Sequence, residues 1–311
     1  MAHSVRLTRR YAGLLRSRLP ELQLEEVVDP RHRRGRRWKR LPVLLRTAIV
    51  GVIAGCKNLE ETEALTDEMS VPIRRMLHIP RRVPDTTMRQ TLIRIEPDAL
   101  RACLHAQTKA AHRRKALAPI GLPFGQVAVD GKTTALPDVA EKDAAKKSDG
   151  AWAESYAQRS SASPKRLIRT MTCALVSARA KPCIDAVPIP AATNEMGHFE
   201  TVVRGLVDVY GRSQLFSLIS ADAGNCSEKN ARLVAVELDQ HYLFRLKADQ
   251  PTLLAEAKRL LGRLRPKQAV TETVDILGKH QVTRRLYITD EMAGFLNWDH
   301  LQTTIRIRKE T

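Results

Sequence analysis

The sequence contains few aromatic residues and few cysteines. Phe, Trp and Tyr account for 4% of the 311 residues, so aliphatic side chains must form the core. The same scarcity argues against extensive stacking surfaces for single-stranded bases. The five cysteines are widely scattered and form no CxxC pair, which argues against a disulfide framework and a structural zinc site and favours a reducing cytoplasm. They are Cys56, Cys103, Cys173, Cys183 and Cys226.

A long hydrophobic run is also lacking. The longest apolar stretches, such as Ala48–Cys56, are shorter than the roughly 20 residues that span a bilayer. The N-terminal residues MAHSVRLTRR contain no apolar core of a signal peptide. We therefore expect a cytoplasmic protein with no membrane contact.

Positive charge is in clear excess. The chain has 52 Lys and Arg against 34 Asp and Glu, a formal net charge of +18, while 43% of its residues are hydrophobic. The apolar fraction is sufficient for a folded core. The charge predicts an anionic partner, and nucleic acid is favoured over an acidic membrane because no amphipathic anchor accompanies the charge.

The basic residues are most concentrated between Arg31 and Arg40. Charge runs of this kind are commonly solvated and unstructured, and that alternative stays open. Because the run directly precedes a helical pattern over Leu41–Val52, we predict an arm that grips DNA phosphates and releases counterions. The predicted DNA-binding residues of this arm are Arg33, Arg34, Arg36, Arg37, Lys39 and Arg40.

Apolar spacing in the first part of the chain predicts helices, and the length of the chain predicts two domains. A small all-helical N-terminal domain is expected over residues 1–118. Its predicted helices are Leu41–Val52, Leu59–Met69, one that begins with Asp85 as its N-cap, and Pro97–His112.

From Gly121 onward, strand patterns alternate with helix patterns, which predicts an α/β sheet in a second domain over 119–311. The predicted strands are Val127–Val129, Leu167–Val176, Cys183–Pro188, Leu215–Ile219, Tyr242–Leu246 and Thr303–Arg308. The predicted helices are His198–Tyr210, Ser227–Asp239 and Pro251–Leu264. A long polar loop is expected over Lys132–Lys165, and a β-hairpin insertion near 268–290 that turns at Gly278-Lys279.

Two acids stand out because each ends a predicted strand. Asp130 closes VAVD, and Asp222 follows LFSLISA. In open α/β sheets, ligands bind beyond the carboxyl ends of the strands. Two carboxylates meeting there repel each other unless a divalent cation lies between them, and oxygen ligands favour Mg²⁺. The alternative for each acid alone is a cap or turn residue, with Gly131 and Gly224 supplying tight turns.

Several motifs together resemble a known family. In chain order they are DPRHRRGRRWKR, VIAGCKNLEE, VPDTTMRQTLIRIEP, VAVDGKT, PIPAATNEMGHFE, ISADAGNC, YLFRLKADQPTL and GFLNWDHL. Through them the chain resembles the DDE transposases of bacterial insertion sequences, in particular the ISAs-type and H-repeat-associated group of the IS4-like superfamily.

The resemblance implies an RNase H-like mixed sheet with helices on both faces, preceded by the helical domain. It implies that Asp130, on the first strand, and Asp222, just after the fourth, are catalytic and metal-binding. The implied reaction is cleavage and strand transfer of DNA with Mg²⁺ or Mn²⁺. The implied partner is double-stranded DNA, as terminal inverted repeats and as target, in the bacterial cytoplasm. Whether the chain forms a homodimer is left open.

Three further positions match family motifs. Lys132, in the Asp-Gly-Lys motif, is expected to contact phosphate as a point charge. Lys247 matches a Lys-x-x-Gln-Pro motif and is expected either to contact DNA or to form part of a strand-to-helix turn. Glu195 is expected either to neighbour the metal or to be an acid at the start of a helix.

One family motif does not occur in the sequence. Members of the family take a third acid from a C-terminal helix with a pattern like His-Trp-x-Ile-Glu-Asn, whereas this sequence ends at Thr311. We therefore expect a C-terminally truncated transposase with impaired activity, since a site short of one carboxylate should hold its cation weakly. The alternatives are a non-catalytic DNA-binding remnant that occupies element ends and a structure-directed nuclease of the same fold.

Overall fold

The computed structural model describes residues 2–32, 40–135, 156–160, 163–278, 280–298 and 300–311. It is a mixed α/β structure with two compact units. The first unit contains Met1–Ala118, Gly131–Thr172 and Pro182–Asn194, and the second contains Pro119–Asp130, Cys173–Lys181 and Glu195–Thr311. Residues 33–39 lie outside the described residues, and they include five of the six predicted DNA-binding residues of the arm.

Helices dominate the early part of the first unit. They are α1 (Ala2–Arg18), α2 (Leu41–Ala54), α3 (Leu59–Glu68), α4 (Val71–Met76), α5 (Asp85–Leu92) and α6 (Pro97–Arg113). The predictions for α2, α3 and α6 are confirmed to within two residues at each end. Helix α1 was not predicted, because its arginine-rich sequence was interpreted only as charge. The buried side chains around these helices are mostly aliphatic, as the low aromatic content requires.

The junction between α2 and α3 depends on one glycine and one cap. A Cβ atom on Gly51 would lie 2.4 Å from Thr62 Oγ1, so only glycine permits this approach of the two helices. Asn58 caps α3 by accepting a hydrogen bond from the Glu61 amide at 2.8 Å. The Glu61 carboxylate in turn accepts from the Lys57 amide at 2.8 Å, so both ends of the turn have hydrogen-bond partners.

The predicted N-cap of α5 is wrong. Pro84 occupies the cap position and makes no side-chain cap, while Asp85 is the first helical residue. The Asp85 amide donates instead to Glu63 Oε2 at 2.8 Å. A glutamate distant in sequence thus takes the role that the local pattern assigned to Asp85.

A buried ion pair joins α6 to a strand of the first unit. Asp185 lies in β4 (Cys183–Pro188) and is fully buried. Arg101 Nε and Nη2 each donate to its carboxylate at 2.8 Å, and His105 Nε2 lies 3.2 Å from Oδ1. Burial alone would raise the pKa of Asp185, but the hydrogen bonds from Arg101 and His105 outweigh it and hold that pKa well below its usual range.

Two strands contribute residues to both units: β1 (Gln126–Ala135) and β3 (Ser163–Leu175). The prediction of one long loop over Lys132–Lys165 is wrong at both ends. Strand β1 continues to Ala135, with Gly131 inside it, and β2 (Ala157–Ser160) pairs antiparallel with β3. Residues 136–155 and 161–162 of that prediction lie outside the described residues.

The second unit contains two further strands of the sheet. They are β5 (Leu218–Ala221) and β6 (His241–Phe244), in the order β3-β1-β5-β6. Strand β5 is parallel to both β1 and β6. The amide of Val176, which follows β3, donates to the carbonyl of Gln126 at the start of β1, so these two strands run in opposite directions. The sheet is therefore mixed.

Helices and a second sheet complete this unit. The helices are α7 (Glu195–Tyr210), α8 (Glu228–Arg232, continuing as a π-helical turn over Leu233–Glu237) and α9 (Pro251–Leu261). Strands β7 (Thr271–Leu277) and β8 (His280–Thr289) form an antiparallel hairpin, and β9 (Thr304–Glu310) adds to β8 to give three strands. That the hairpin is an insertion stays a prediction.

None of the described helices is, by itself, both long and apolar enough to cross a bilayer. The helices Leu41–Ala54 and Leu59–Glu68 meet the length and composition criteria only as a pair, and they are bent by 96° relative to each other.

The ion pair predicts a large loss of stability for Asp185→Asn. The substitution leaves the Arg101 charge half-buried without its main counter-charge, so we expect a loss of about 3–5 kcal/mol in the free energy of unfolding. Urea unfolding at pH 7 measures this loss.

Asp98→Asn is the matched control, because Asp98 binds the same Arg101 at 2.7 Å but is 82% exposed. We expect it to cost less than about 1 kcal/mol. The folded pKa of Asp185 is lowered, so the difference between wild type and Asp185→Asn should persist above about pH 4 and shrink as the pH falls further. Equal losses for the two variants would contradict the assignment.

Candidate functional site

Asp130 lies in the first half of β1, so the prediction that it ends its strand is wrong: the strand continues to Ala135. The preceding side chains alternate, with Val127 and Val129 buried and Ala128 between them partly exposed. Because successive side chains of a strand point to opposite faces, Asp130 shares the face of Ala128. The Asp130 side chain is itself exposed. The carboxylate therefore lies on the accessible side of the sheet.

Asp222 follows directly after β5. The predicted strand over Leu215–Ile219 is shifted, because β5 covers Leu218–Ala221. Asp222 keeps an extended backbone, with φ −71° and ψ −178°, and its side chain is exposed. The strand geometry thus continues to Asp222 before the chain turns.

The pairing of β1 with β5 brings the two acids together. Val127 pairs with Ile219, and Val129 pairs with Ala221. The next positions in this register are Asp130 and Asp222. Neighbouring strands lie roughly 4.8 Å apart, and registered residues in a parallel pair point to the same face. The structure therefore brings both predicted acids to one edge of one sheet face.

The same face carries polar residues before the acids, with Ser220 two residues before Asp222 and Gln126 four residues before Asp130. Gln126 Nε2 donates to Ser220 Oγ at 3.0 Å, and Ser220 Oγ donates to the Val127 carbonyl at 3.2 Å. These bonds link the two strands from the side that carries the acids. They hold the pair of strands together just below Asp130 and Asp222.

The register is fixed by a close approach at Gly125. The amides of Ser217 and Leu218 donate to the Gly125 carbonyl at 3.1 and 3.2 Å. A Cβ atom on Gly125 would lie 2.0 Å from the Leu215 carbonyl oxygen, so no other residue fits without moving the chain. The observed start of β5 alongside β1 therefore requires glycine at position 125.

A tight 3₁₀ turn over Ala223–Asn225 follows Asp222. Asn225 is 4% exposed, and its Nδ2 donates to Asp222 Oδ1 at 3.2 Å. A Cβ atom on Gly224 would lie 3.5 Å from the same carboxylate oxygen and 3.9 Å from Met196 Cγ. The turn and the first residues of α7 thus pack beside Asp222.

The turn after β6 lies beside this loop. Gln250 Nε2 donates to the Cys226 carbonyl at 3.1 Å, and the Gln250 amide donates to the Lys247 carbonyl at 3.1 Å. Burial, and then the charge of Asp249, raise the pKa of the Cys226 thiol to about 11. Lys247 itself is exposed, near the carboxyl ends of the parallel strands.

The remaining predicted DNA-binding residues are placed as follows. Lys132 lies within β1 and is exposed, and it is not in a turn. Arg40 is exposed at the N-cap position of α2. The positions of Arg33, Arg34, Arg36, Arg37 and Lys39 lie outside the described residues.

A complete metal site is not formed by the described side chains. Within the described ranges, no group of three or more His, Cys, Asp or Glu side chains could hold a metal ion. Glu195 begins α7 and is half-buried, but it does not complete such a group with Asp130 and Asp222. The donor set consists of two carboxylates and neighbouring polar atoms.

Sequence reasoning missed the contacts of Asn225 and Gln250. Asn225 lies within the motif ISADAGNC and had no predicted role, whereas Gln250 was expected, with Lys247, either to contact DNA or to form a strand-to-helix turn. Asn225 contacts Asp222 only because the loop after β5 turns back on itself, and Gln250 contacts the Cys226 carbonyl only because the turn after β6 lies beside that loop. The signal available in the sequence was the amide residue three positions after Asp222 in DAGN.

A comparison with protein families gives one match. The family model described as DDE_Tnp_1-associated matches residues 22–107, in the helical part of the first unit. This domain occurs in DDE transposases of the IS4-like type. The match covers less than half of the chain and does not include Asp130 or Asp222. A comparison with curated proteins finds no match.

The packing of this loop predicts an unreactive Cys226. Its thiol is 5% exposed with a pKa raised to about 11, whereas Cys183 is exposed. Because the thiolate is the reactive form, iodoacetamide at pH 8 should alkylate Cys183 and spare Cys226 until the protein unfolds. Peptide mass spectrometry after timed labelling measures both rates. Equal rates would mean that the loop after Asp222 opens readily.

Proposed function

We propose that the chain is a DDE-type transposase of the ISAs-type and H-repeat-associated group, which cleaves and transfers the DNA ends of an insertion sequence. Asp130 and Asp222 are its two described catalytic acids. The observation that carries the proposal is the β1–β5 register, whose last pair, Val129 with Ala221, directly precedes the two acids. The transposase-associated match over residues 22–107 supports the class by independent means.

The arrangement of the strands supports an RNase H-like fold. Strand β1 has β3 running antiparallel on one side and β5 running parallel on the other. One acid is on the first strand and the other directly follows β5. By chain order β5 is the fifth strand and not the fourth that the resemblance implies, because the structure contains the short strand β2, which the sequence did not predict.

The donor atoms fit a hard divalent cation, Mg²⁺ or Mn²⁺. Asp130 and Asp222 offer carboxylate oxygens on one exposed face, and Asn225 adds a buried amide oxygen that accepts no hydrogen bond from the described residues. Carboxylates and amide carbonyls are the ligand types that such ions take. When bound, the cation would supply electrostatic stabilisation of the charge that develops on a phosphodiester.

The residues of the chain itself have two tasks in this proposal. Asp130 and Asp222 would hold the cation and thereby position the DNA phosphate that reacts. Lys247, exposed beside the same strand ends, neutralises backbone phosphates, and Lys132 and Arg40 act in the same way on the DNA. With a formal net charge of +18, such contacts make DNA affinity depend strongly on salt.

A second candidate is a DNA-binding protein without catalytic activity that occupies element ends. It is favoured by one observation: within the described residues, no third His, Cys, Asp or Glu joins the pair of acids. Such a protein would keep the basic contacts and lack the reaction. The two candidates differ in what the acids do.

Substitution of the acids separates these candidates. Asp130→Ala and Asp222→Ala should each abolish Mn²⁺-dependent cleavage of linear DNA that carries both ends of the element, because the cation loses half of its carboxylates. Gel analysis of end-labelled DNA measures cleavage, and a salt titration of DNA affinity measures the phosphate contacts. The affinity and its salt dependence should stay unchanged.

Asp208→Ala is the control, because Asp208 is an exposed carboxylate on α7. It should cleave like the wild type. Cleavage that survives in Asp130→Ala or Asp222→Ala would refute the catalytic assignment. If the wild type binds element ends but does not cleave them, the second candidate is correct.

A further inference from the structure

Asn225 is a buried residue in direct contact with one of the two acids. Its side chain is 4% exposed, and Nδ2 donates to Asp222 Oδ1 at 3.2 Å. The other end of the same amide, Oδ1, is buried and accepts no hydrogen bond from the described residues. One half of this side chain is therefore satisfied and the other half is not.

An unsatisfied amide oxygen is costly in a protein interior. Leaving a buried acceptor without a donor costs about 1–3 kcal/mol. Such groups are rare in native proteins, and an ion or water is a common reason for them. Here the oxygen belongs to a side chain that already touches a carboxylate. A cation would satisfy both groups, whereas a donor from the protein would satisfy only the amide.

The backbone around Asn225 is held independently of its side chain. The Asn225 carbonyl accepts from Asn230 Nδ2 at 3.0 Å, and Asn230 is itself buried. Ser227 Oγ caps α8 by accepting from the Asn230 amide at 3.2 Å. The loop from Asp222 to α8 is thus fixed by these bonds, and the Asn225 amide is not needed for them. Its position beside Asp222 calls for a separate explanation.

We propose that Asn225 is a further member of the cation site. Its Nδ2 orients the Asp222 carboxylate, and its Oδ1 is an oxygen donor for the divalent cation. This inference rests on the proposed function, since it assigns a third oxygen to the cation that Asp130 and Asp222 hold. The uncharged amide of Asn225, from the turn that follows Asp222, would thus join the two carboxylates as a ligand.

Two substitutions distinguish an oxygen donor from a residue that only orients Asp222. Asn225→Leu removes both the donor and the oxygen at similar volume. Asn225→Asp keeps an oxygen in place but removes the N–H group that donates to Asp222. If Oδ1 contacts the cation, aspartate should bind it as well as asparagine or better. If Asn225 only orients Asp222, aspartate should be as harmful as leucine, because it repels the neighbouring carboxylate.

The test is Mn²⁺ affinity of the full chain without DNA, measured by the electron paramagnetic resonance signal of free Mn²⁺. Asn225→Leu should weaken binding by about 10–100-fold, as is typical when a group supporting a metal site is lost. Asn225→Asp should retain or exceed wild-type affinity. The rise in melting temperature on adding Mn²⁺ should follow the same order, because only binding to the folded state stabilises it.

Ser227→Ala is the matched control, since it removes the cap in the same loop without touching the amide or the acids. It should lower the melting temperature in the absence of metal and leave Mn²⁺ affinity unchanged. Wild-type affinity in Asn225→Leu, or equal losses in Asn225→Leu and Asn225→Asp, would overturn the proposed oxygen donor. If Asp130→Ala and Asp222→Ala also bind Mn²⁺ like the wild type, the cation site itself is wrong and the proposed function fails with it.

Discussion

The parallel pairing of β1 with β5 is the constraint on which the candidate site depends. In the observed register, Val129 pairs with Ala221, and the next residues are the two aspartates. A shift of one residue would turn one acid toward the buried face of the sheet, since side chains alternate along a strand. The observed register requires glycine at position 125, because the chain that leads into β5 passes too close for any Cβ atom there. The site thus depends on a glycine that is not itself part of it.

The surroundings of the two acids follow from this pairing. Because β5 ends at Ala221, the chain must turn beside the acids, and the 3₁₀ turn over Ala223–Asn225 brings an amide against Asp222. The turn after β6 arrives at the same edge, where Gln250 bonds to the Cys226 carbonyl. In the first unit, the Arg101–Asp185 ion pair has a different character, since it is buried, bidentate and structural. Asp130 and Asp222 are exposed, whereas Asp185 is buried and its charge is balanced by Arg101.

The sequence predicted those helices that are determined by interactions between residues close together in the chain. Helices α2 and α6 carry regular apolar spacing and proline in the first turn, and Ser227, where a helix was predicted to begin, caps α8. The position of Asp222 directly after a strand was also visible in the sequence, whereas Asp130, which was expected to end its strand, lies inside β1. The continuation of β1 through Gly131 was not visible, because a glycine followed by polar residues is typical of a turn. The burial of Asp185 was equally hidden, since Arg101 lies 84 positions away in the chain. A contact between distant segments decided the second case.

The central claim is that Asp130 and Asp222 share one divalent cation. Anomalous diffraction from crystals of the full chain grown with MnCl₂ tests it most directly. The account predicts one manganese peak with carboxylate oxygens of both aspartates at coordination distance, about 2.0–2.6 Å. A fully occupied peak bound to only one of them, or carboxylates that point to opposite faces of the sheet, would contradict the account.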